Sequence, residues 1–418
     1  VTQVVKRRDF LLALAGGFAS VEILNSAAGF QRHLLSANGD LLEKNRHVLL
    51  VVFLRGGFDG LSLVCPSSGD DRKHYEALRP SLALPLTGDD AILKLDEQFG
   101  INSSAKSLHE IYKQKRLAFV HGCGLPVPSR SHFAAQTLME LGVTRSGADN
   151  RGWLTRFMQK HPCKAAVIGP LRPTSLQGTE STLAYTRLRG LGLDGSPAAQ
   201  NQLRSSLREL YASHGSGGQY GLGALNMLDE LEDLSFVSGP KAKAELPTGE
   251  IAQKFALASQ LLQRDQKLQI MTIDIGGWDT HRQQGSTGDG YFAKQLTQLS
   301  KALAEFYHSG LASTTAWVTT VVMSEFGRRV RENGNRGTDH GHGNTMMVLG
   351  PRVQGGAVYG RWPGLAHGAL FERSDLAVTT DVRSVLLRCL QTISPSVSLQ
   401  DVFVEIDKNL NPEMKLFI

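Results

Sequence analysis

A chain of 418 residues with 41% hydrophobic and 20% charged content can bury a large core, which excludes a disordered protein and suits one elaborated α/β domain or two domains. The formal net charge of +6 is scattered apart from Lys6, Arg7 and Arg8, and no basic stripe with interleaved aromatics is present, so a nucleic-acid partner is not expected. Cys65, Cys123, Cys163 and Cys389 lie far apart with no Cys-x-x-Cys pair; up to two disulfides are possible in an oxidising compartment, and buried free thiols are the simpler reading.

Lys6-Arg7-Arg8-Asp9-Phe10-Leu11 is a twin-arginine export pattern, followed by an apolar stretch to Leu24 and small residues Ser26-Ala27-Ala28 suited to cleavage. Glu22 interrupts that stretch, which is too short for a stable membrane span. Residues 1–30 therefore read as a signal peptide, the twin-arginine export machinery as a partner, and the mature protein as periplasmic or otherwise exported. Runs of β-branched and aliphatic residues predict strands over 47–54, 116–121, 165–168, 268–274, 316–323 and 345–349. Helical patterns lie over 105–114, 131–141, 200–212, 251–263, 292–307 and 382–390, an alternation that predicts a doubly wound, mostly parallel sheet covered on both faces. The main domain spans 45–395, residues 176–250 read as an inserted cap, and 396–418 as a C-terminal extension.

Chemistry-bearing residues collect where strands end. The first strand stops at Arg55-Gly56-Gly57-Phe58-Asp59-Gly60, where the glycines permit a sharp turn and Asp59 either ligates a metal or caps the next segment. Further on come Asp274-Ile-Gly-Gly-Trp-Asp279-Thr-His281, then Ser324-Glu325-Phe326-Gly327, then Thr338-Asp339-His340-Gly341-His342-Gly343-Asn344. Asp, Glu and His at neighbouring strand ends are the side chains that bind zinc, manganese or iron. Pro128-Ser129-Arg130-Ser131-His132 leads from a strand into a helix; its hydroxyls could act as nucleophile or merely as N-caps, and Arg130 as an anion clamp. Trp278 reads as packing beneath its loop, and Asp381 as the cap of the last helix.

The ordered set Arg-Gly-Gly-Phe-Asp-Gly, Ser-Arg-Ser-His-Phe-Ala-Ala-Gln, Gly-Gly-Trp-Asp-Thr-His, Ser-Glu-Phe-Gly-Arg and Asp-His-Gly-His-Gly resembles the bacterial exported proteins grouped as domain of unknown function 1501, from about residue 48 to 390. Those proteins are similar in turn to the alkaline phosphatase and sulfatase superfamily. That resemblance implies an alkaline-phosphatase-like three-layer sandwich with a mostly parallel central sheet and an inserted cap, holding two divalent ions about 4 Å apart. It implies Asp59 on one ion, Asp279 and His281 on the other, and Glu325 with His340 or His342 completing the set, with Ser131 or Ser129 as nucleophile and Arg130, or else Arg55 or Arg328, binding substrate oxygens. Two departures stand out. Phe326 occupies the place of an expected histidine, which His132, Asp339 or a second loop histidine would have to replace, and Pro126 stands where formylglycine chemistry needs cysteine. The implied activity is metal-dependent hydrolysis of phosphate or sulfate esters on a small or polymeric substrate, with metal affinity falling below about pH 6 as histidines protonate. The rival is a non-catalytic exported protein that keeps the fold and a structural metal.

Overall fold

The apolar runs become strands, and their ends decide where the polar loops meet. A computed structural model describes residues 46–417 apart from 180–181, 186–195, 214–217, 219–220, 223–224, 226–248, 313, 315 and 406–413. The expected signal peptide, and parts of the expected cap and C-terminal extension, lie outside the described residues. Along the chain run β1 (His47–Leu54), α1 (Gly60–Leu63), β2 (Val64–Pro66), α2 (Gly69–Leu78), β3 (Leu93–Lys94), β4 (Phe99–Ile101), α3 (Lys106–Lys113), β5 (Leu117–Gly124), α4 (His132–Leu141), α5 (Trp153–Lys160) and β6 (Lys164–Ile168). They are followed by β7 (Thr182–Tyr185), α6 (Pro197–Ala212), α7 (Glu250–Arg264), β8 (Leu268–Ile275), α8 (Tyr291–Glu305), β9 (Trp317–Met323), β10 (Asn344–Leu349), β11 (Ala357–Tyr359), β12 (Thr380–Asp381), α9 (Val382–Leu390) and α10 (Leu399–Val402). Two compact units divide the chain: residues 43–178 with 245–418 form one, and 179–244 fall in the other, whose described elements are β7 and α6.

In the larger unit the central sheet runs β11-β5-β10-β9-β1-β8-β6, with β12 beside β5. β1 is parallel to both β8 and β9, and β6 is parallel to β8. β10 alone is reversed, antiparallel to β9 and β5. This is an α/β fold with a mixed, mostly parallel sheet. Alternation along β1 sends Leu49, Val51 and Phe53 into a core shared with Leu138 of α4, Phe157 of α5 and Leu386 of α9. Val48, Leu50 and Val52, also buried, face the side that carries α3, α7 and α8. A separate three-stranded sheet, β2-β4-β3, lies beside the first motif loop. All four cysteines are free thiols, three of them buried.

Register puts the motif loops on one edge. Phe53 pairs with Asp274 on one side and Met323 on the other, so the chain leaves β1, β8 and β9 at the same level. β5 ends at that edge as well, and reversed β10 begins there, so the segment before β10 arrives where the others depart. Carboxyl-end loops of parallel strands are the usual ligand-binding edge of such sheets.

Asp59 does not reach this loop surface. It is 1% exposed, and Arg79 grips both its oxygens at 2.7 and 3.1 Å, while Ser62 and Gln284 each donate to Oδ2 at 2.7 Å. Desolvation raises the Asp59 carboxyl's pKa, but the Arg79 charge and these hydrogen bonds outweigh it and hold the value below the ordinary carboxylate range. The expected metal ligand thus belongs to a buried internal ion pair with Arg79. Gln284 also accepts from Thr280 and Thr338, which ties the loops after β8 and β9 to the Asp59 turn.

Removing one partner of a buried pair strands the other charge, so Arg79→Leu is expected to lower unfolding free energy by about 3–5 kcal/mol in denaturant titrations. The Asp59 value is depressed on folding, so its contribution is fully present above the unfolded carboxylate pKa and is lost as pH falls through the folded value. Asp59→Asn should therefore flatten the acid side of the stability profile; an unchanged acid slope would contradict this account.

Candidate metal centre

Local backbone geometry brings the loops into contact. Gly56 has φ +120° and Gly57 φ +64°, conformations that favour glycine, and an added Cβ would lie 2.5 Å from the Asp279 amide nitrogen or 2.4 Å from the Phe326 ring. The segments around 327–329 and 339–342 pair through Gly327 N to His342 O, Gly341 N to Gly327 O and Arg329 N to Asp339 O, at 2.8–2.9 Å. The loop after β8 is stitched to the same region by Thr338 N to Thr280 O and by Gln283 N to Asn335 O. His281 and His340 therefore face each other on backbone that is bonded together.

Three imidazoles converge on one carboxylate oxygen. Asp279 Oδ1 lies 3.0 Å from His281 Nε2, 3.4 Å from His340 Nε2 and 3.5 Å from His132 Nε2. His281 Nε2 and His340 Nε2 are only 2.8 Å apart, and the potential ligand atoms of His132, Asp279 and His340 all fall within 4.8 Å of one another. Each ring is also held from behind. His340 Nδ1 meets the Arg130 carbonyl at 2.7 Å, His132 Nδ1 meets Glu325 Oε1 at 2.8 Å, and His281 Nδ1 meets Asp339 Oδ1 at 3.2 Å.

Those partners can only accept, so each Nδ1 carries a proton, and in the neutral ring each Nε2 then presents a lone pair. Two such lone pairs 2.8 Å apart repel unless a proton or a metal cation lies between them. His132 Nε2 is buried with no hydrogen-bond partner, a second unsatisfied donor to a cation. Nδ1 held by a carboxylate or carbonyl, with Nε2 aimed inward, is the usual arrangement of metal-binding histidine. Three nitrogens and one oxygen suit zinc, manganese or iron, so the residues present fit a divalent ion. Asp279 and His281 retain 49% and 38% side-chain exposure, which leaves the cluster open to solvent on their side.

Electrostatics favour the charged form of the carboxylates. Desolvation raises Asp279, yet the hydrogen bond and charge of Arg328, with His281 and His132 nearby, bring it below the ordinary value. Desolvation likewise opposes Glu325 and is outweighed by hydrogen bonds from Gln136, its own backbone, His132 and Ser324. Burial lowers His340, with the Arg130 carbonyl opposing it, and so favours the neutral ring that a metal requires.

The structure gathers Asp279, His281 and His340 from the expected ligand set and adds His132; Asp59, Glu325 and His342 lie elsewhere. Glu325 has a fully buried side chain whose Oε1 receives the Gly56 amide, His132 and Gln136, while Oε2 receives Ser324. It orients His132, and its Oε1 is filled by three donors. His342 is buried against the Phe371 ring at 4.7 Å, away from the converging nitrogens. Phe326, in place of the expected histidine, packs its ring on His132 and His340 at 4.9 and 4.8 Å, and His132 supplies an imidazole from a different element.

The expected catalytic residues also fall outside the convergence. Arg130 is neutralised by Asp375 at 2.6 Å and Glu372 at 2.7 Å, and contributes its carbonyl to His340 instead of its guanidinium to a substrate. Arg55 pairs with Glu140 and Asp274, and Arg328 is buried among backbone carbonyls. Ser129 lines a cavity of about 10 Å³ beside Glu325 and His342, room for one water, while Ser131 is exposed at the N-cap of α4 and makes no capping bond. Trp278 packs beneath its loop against Phe58 and Phe292, and Asp381 caps α9 through the Arg383 amide. Arg79, Gln284 and Arg328 carry no sequence signal of their roles; His132 does, as a histidine at the start of the helix that the segment after β5 leads into.

An α/β protein with acid and histidine groups gathered at one sheet edge is the class that fold and site define. The chain matches the family described as "Protein of unknown function (DUF1501)" over residues 144–392 and belongs to it. No curated protein matches the sequence. Among solved structures, the PsFucS1 sulfatase from Pseudoalteromonas sp. superposes with a TM-score of 0.36 at 10% identity, covering 93% of this chain and 75% of that one. The superposition is loose, and the fold stands on the strand order above.

Titration of metal-free protein with zinc should give near-stoichiometric binding that His132→Ala and His340→Ala each abolish or weaken severely. Glu325→Gln is expected to cost about 10–100-fold in affinity by releasing His132. His342→Ala should leave affinity within error, and a loss there as large as at His132 would overturn this ligand assignment.

Proposed function

We propose that this is an exported, metal-dependent hydrolase of phosphate or sulfate esters, built around one divalent ion held by His132, Asp279, His281 and His340. The observation that carries the reading is the meeting of three Nε2 atoms at Asp279 Oδ1, with each opposite Nδ1 fixed by an acceptor. A divalent ion bound there would supply Lewis-acid polarisation of an ester oxygen. The chain's own groups set the rest. Glu325, Asp339 and the Arg130 carbonyl keep the rings in the tautomer that leaves Nε2 unprotonated, and Arg328 holds Asp279 ionised. Neither Ser129 nor Ser131 makes a hydrogen bond to a basic group among the described residues, so attack falls to solvent water entering from the exposed side at Asp279.

The motif resemblance to the alkaline phosphatase and sulfatase superfamily supports ester chemistry, with one ion in place of two. One observation favours the non-catalytic alternative: Phe326 fills the position of an expected histidine with an apolar ring. A panel of chromogenic phosphomonoesters, phosphodiesters and sulfate esters, run with added zinc, manganese or iron, separates the two. Turnover is expected to vanish in Asp279→Ala and to survive within about twofold in Ser129→Ala and Ser131→Ala, a change of under 1 kcal/mol in the barrier. Firm metal binding with no turnover of any ester would favour the structural alternative.

Export rests on Lys6-Arg7-Arg8 and the apolar stretch that follows. Fractionation of cells producing the chain should find it in the periplasm. Replacing both Arg7 and Arg8 with lysine should retain it in the cytoplasm, and unchanged export would remove the twin-arginine assignment.

A further inference from the structure

A cavity of about 480 Å³ opens on the far side of Asp339, the carboxylate that holds His281. Its lining includes Arg329, Arg331 and Arg373, and its two carboxylates are already engaged. Glu332 accepts the Ser81 and Leu82 amides at 2.9 Å each, and Asp339 Oδ1 accepts from Asn333 and His281.

The three guanidiniums are poorly matched by contrast. Arg331 and Arg373 make no ion pair among the described residues, and Arg329 Nε lies 3.9 Å from Asp375 Oδ1, beyond hydrogen-bonding reach. Asp375 is itself committed to Arg130 at 2.6 Å. Arg373 is presented by a turn in which both it and Glu372 have left-handed backbone, φ 58° and 47°, an unfavourable conformation for residues with a Cβ. His74, also lining the cavity, has a buried Nδ1 without a partner.

Unpaired guanidiniums around a polar cavity are suited to oxyanions, which they bind through paired N–H donors. The volume is that of an ordinary small-ligand site, enough for one or two sugar rings. We infer that this cavity is a subsite for a second oxyanion on the substrate, so that the protein takes esters bearing more than one sulfate or phosphate group in place of simple monoesters. The assignment of a substrate rests on the hydrolase reading above; the oxyanion site itself stands on the cavity's own residues. Asp339 and Asn333 form the wall between the cavity and the imidazoles, so a ligand in the cavity would lie beside the proposed metal centre.

Calorimetric titration of the metal-free full chain tests it, with inorganic sulfate, a monosulfated sugar and a multiply sulfated disaccharide as probes. The disaccharide should bind most tightly, and the exposed-residue double variant Arg331→Ala/Arg373→Ala should weaken it by about tenfold or more, the scale of one lost charge-assisted contact. Lys113→Ala, which removes a surface charge on α3 outside the cavity, should bind it as well as the parent does. Equal binding by the arginine variant, no binding by the parent, or an equal loss in Lys113→Ala would overturn the subsite. Phosphorylated counterparts run in parallel show which oxyanion the arginines prefer. Arginine-dependent binding in a protein that hydrolyses no ester would uphold the oxyanion site while removing the hydrolase reading. Where turnover is found, the arginine variant should raise KM for the disaccharide and leave kcat unchanged, a split that a general loss of structure would not produce.

Discussion

Arg328 carries its charge in the interior, with no exposed side-chain surface, and the loops after β1, β8 and β9 are all tied to it. It donates to the carbonyls of Gly56 and Gly57 after β1, of Trp278 after β8 and of Thr338 before β10, and at 2.7 Å to Asp279 Oδ1. Burying a guanidinium costs several kcal/mol unless its donors are matched, and here the matching groups are backbone oxygens of loops that would otherwise be independent. Arginine suits this role because its five donors lie in one rigid plane. A lysine could satisfy three groups at most, and it would leave at least two of these carbonyls or the carboxylate unpaired. The same hydrogen bond that completes the scaffold keeps Asp279 ionised, so folding and site chemistry meet at one atom.

A second buried arginine does comparable work one layer deeper. Arg79 neutralises Asp59 and also reaches the carbonyls of Arg329 and Val330, which anchors the start of the arginine-lined segment. Two aspartates at neighbouring strand ends thus have different fates. Asp59 is closed in by Ser62, Gln284 and Arg79, whereas Asp279, half exposed, meets three imidazoles. What separates them is depth below the loop surface, fixed by the turn through Gly56 and Gly57 that folds the first loop inward while the loop after β8 passes over it.

That difference in depth marks what the sequence could and could not reveal. The strands over 47–54, 164–168 and 268–275, and the helices over 106–113, 132–141 and 250–264, follow from apolar periodicity within one segment and lie within a residue or two of expectation, whereas the helices over 69–78 and 153–160 were not expected. That Asp279, His281 and one histidine of the 339–343 motif would lie near one another was also legible, because their loops adjoin strand ends whose order the alternating pattern implies, but the choice between His340 and His342 was left open. The partners across the sheet were not legible. Whether Asp59 meets a cation or Arg79, and whether Glu325 ligates or orients, depends on pairings between residues 20 and 193 positions apart, to which no local pattern responds. His342 and His340 share one motif, and only the short ladder between 327–329 and 339–342 decides that the first turns inward to Phe371 while the second meets His281. The reversal of β10 was hidden for a similar reason: a buried strand reads the same in either direction.

Phe326 shows how such a site can lack one imidazole that the motif resemblance leads one to expect. Phe326 removes one nitrogen donor but leaves a flat ring on which His132 and His340 pack. His132 is fixed by Glu325 behind, Phe326 beside and the first turn of α4 beneath, so its Nε2 has few alternatives to the cluster. Rigid placement has an electrostatic consequence. Lone pairs forced together raise the energy of the cation-free protein, and a cation that relieves the repulsion would bind without further ordering of its ligands. Binding free energy would then appear partly as added stability, because the unfolded chain offers no such preformed set. The hydrogen bonds behind the rings hold that strained arrangement in place, which assigns Glu325, Asp339 and the Arg130 carbonyl a thermodynamic role that none could fill as ligands.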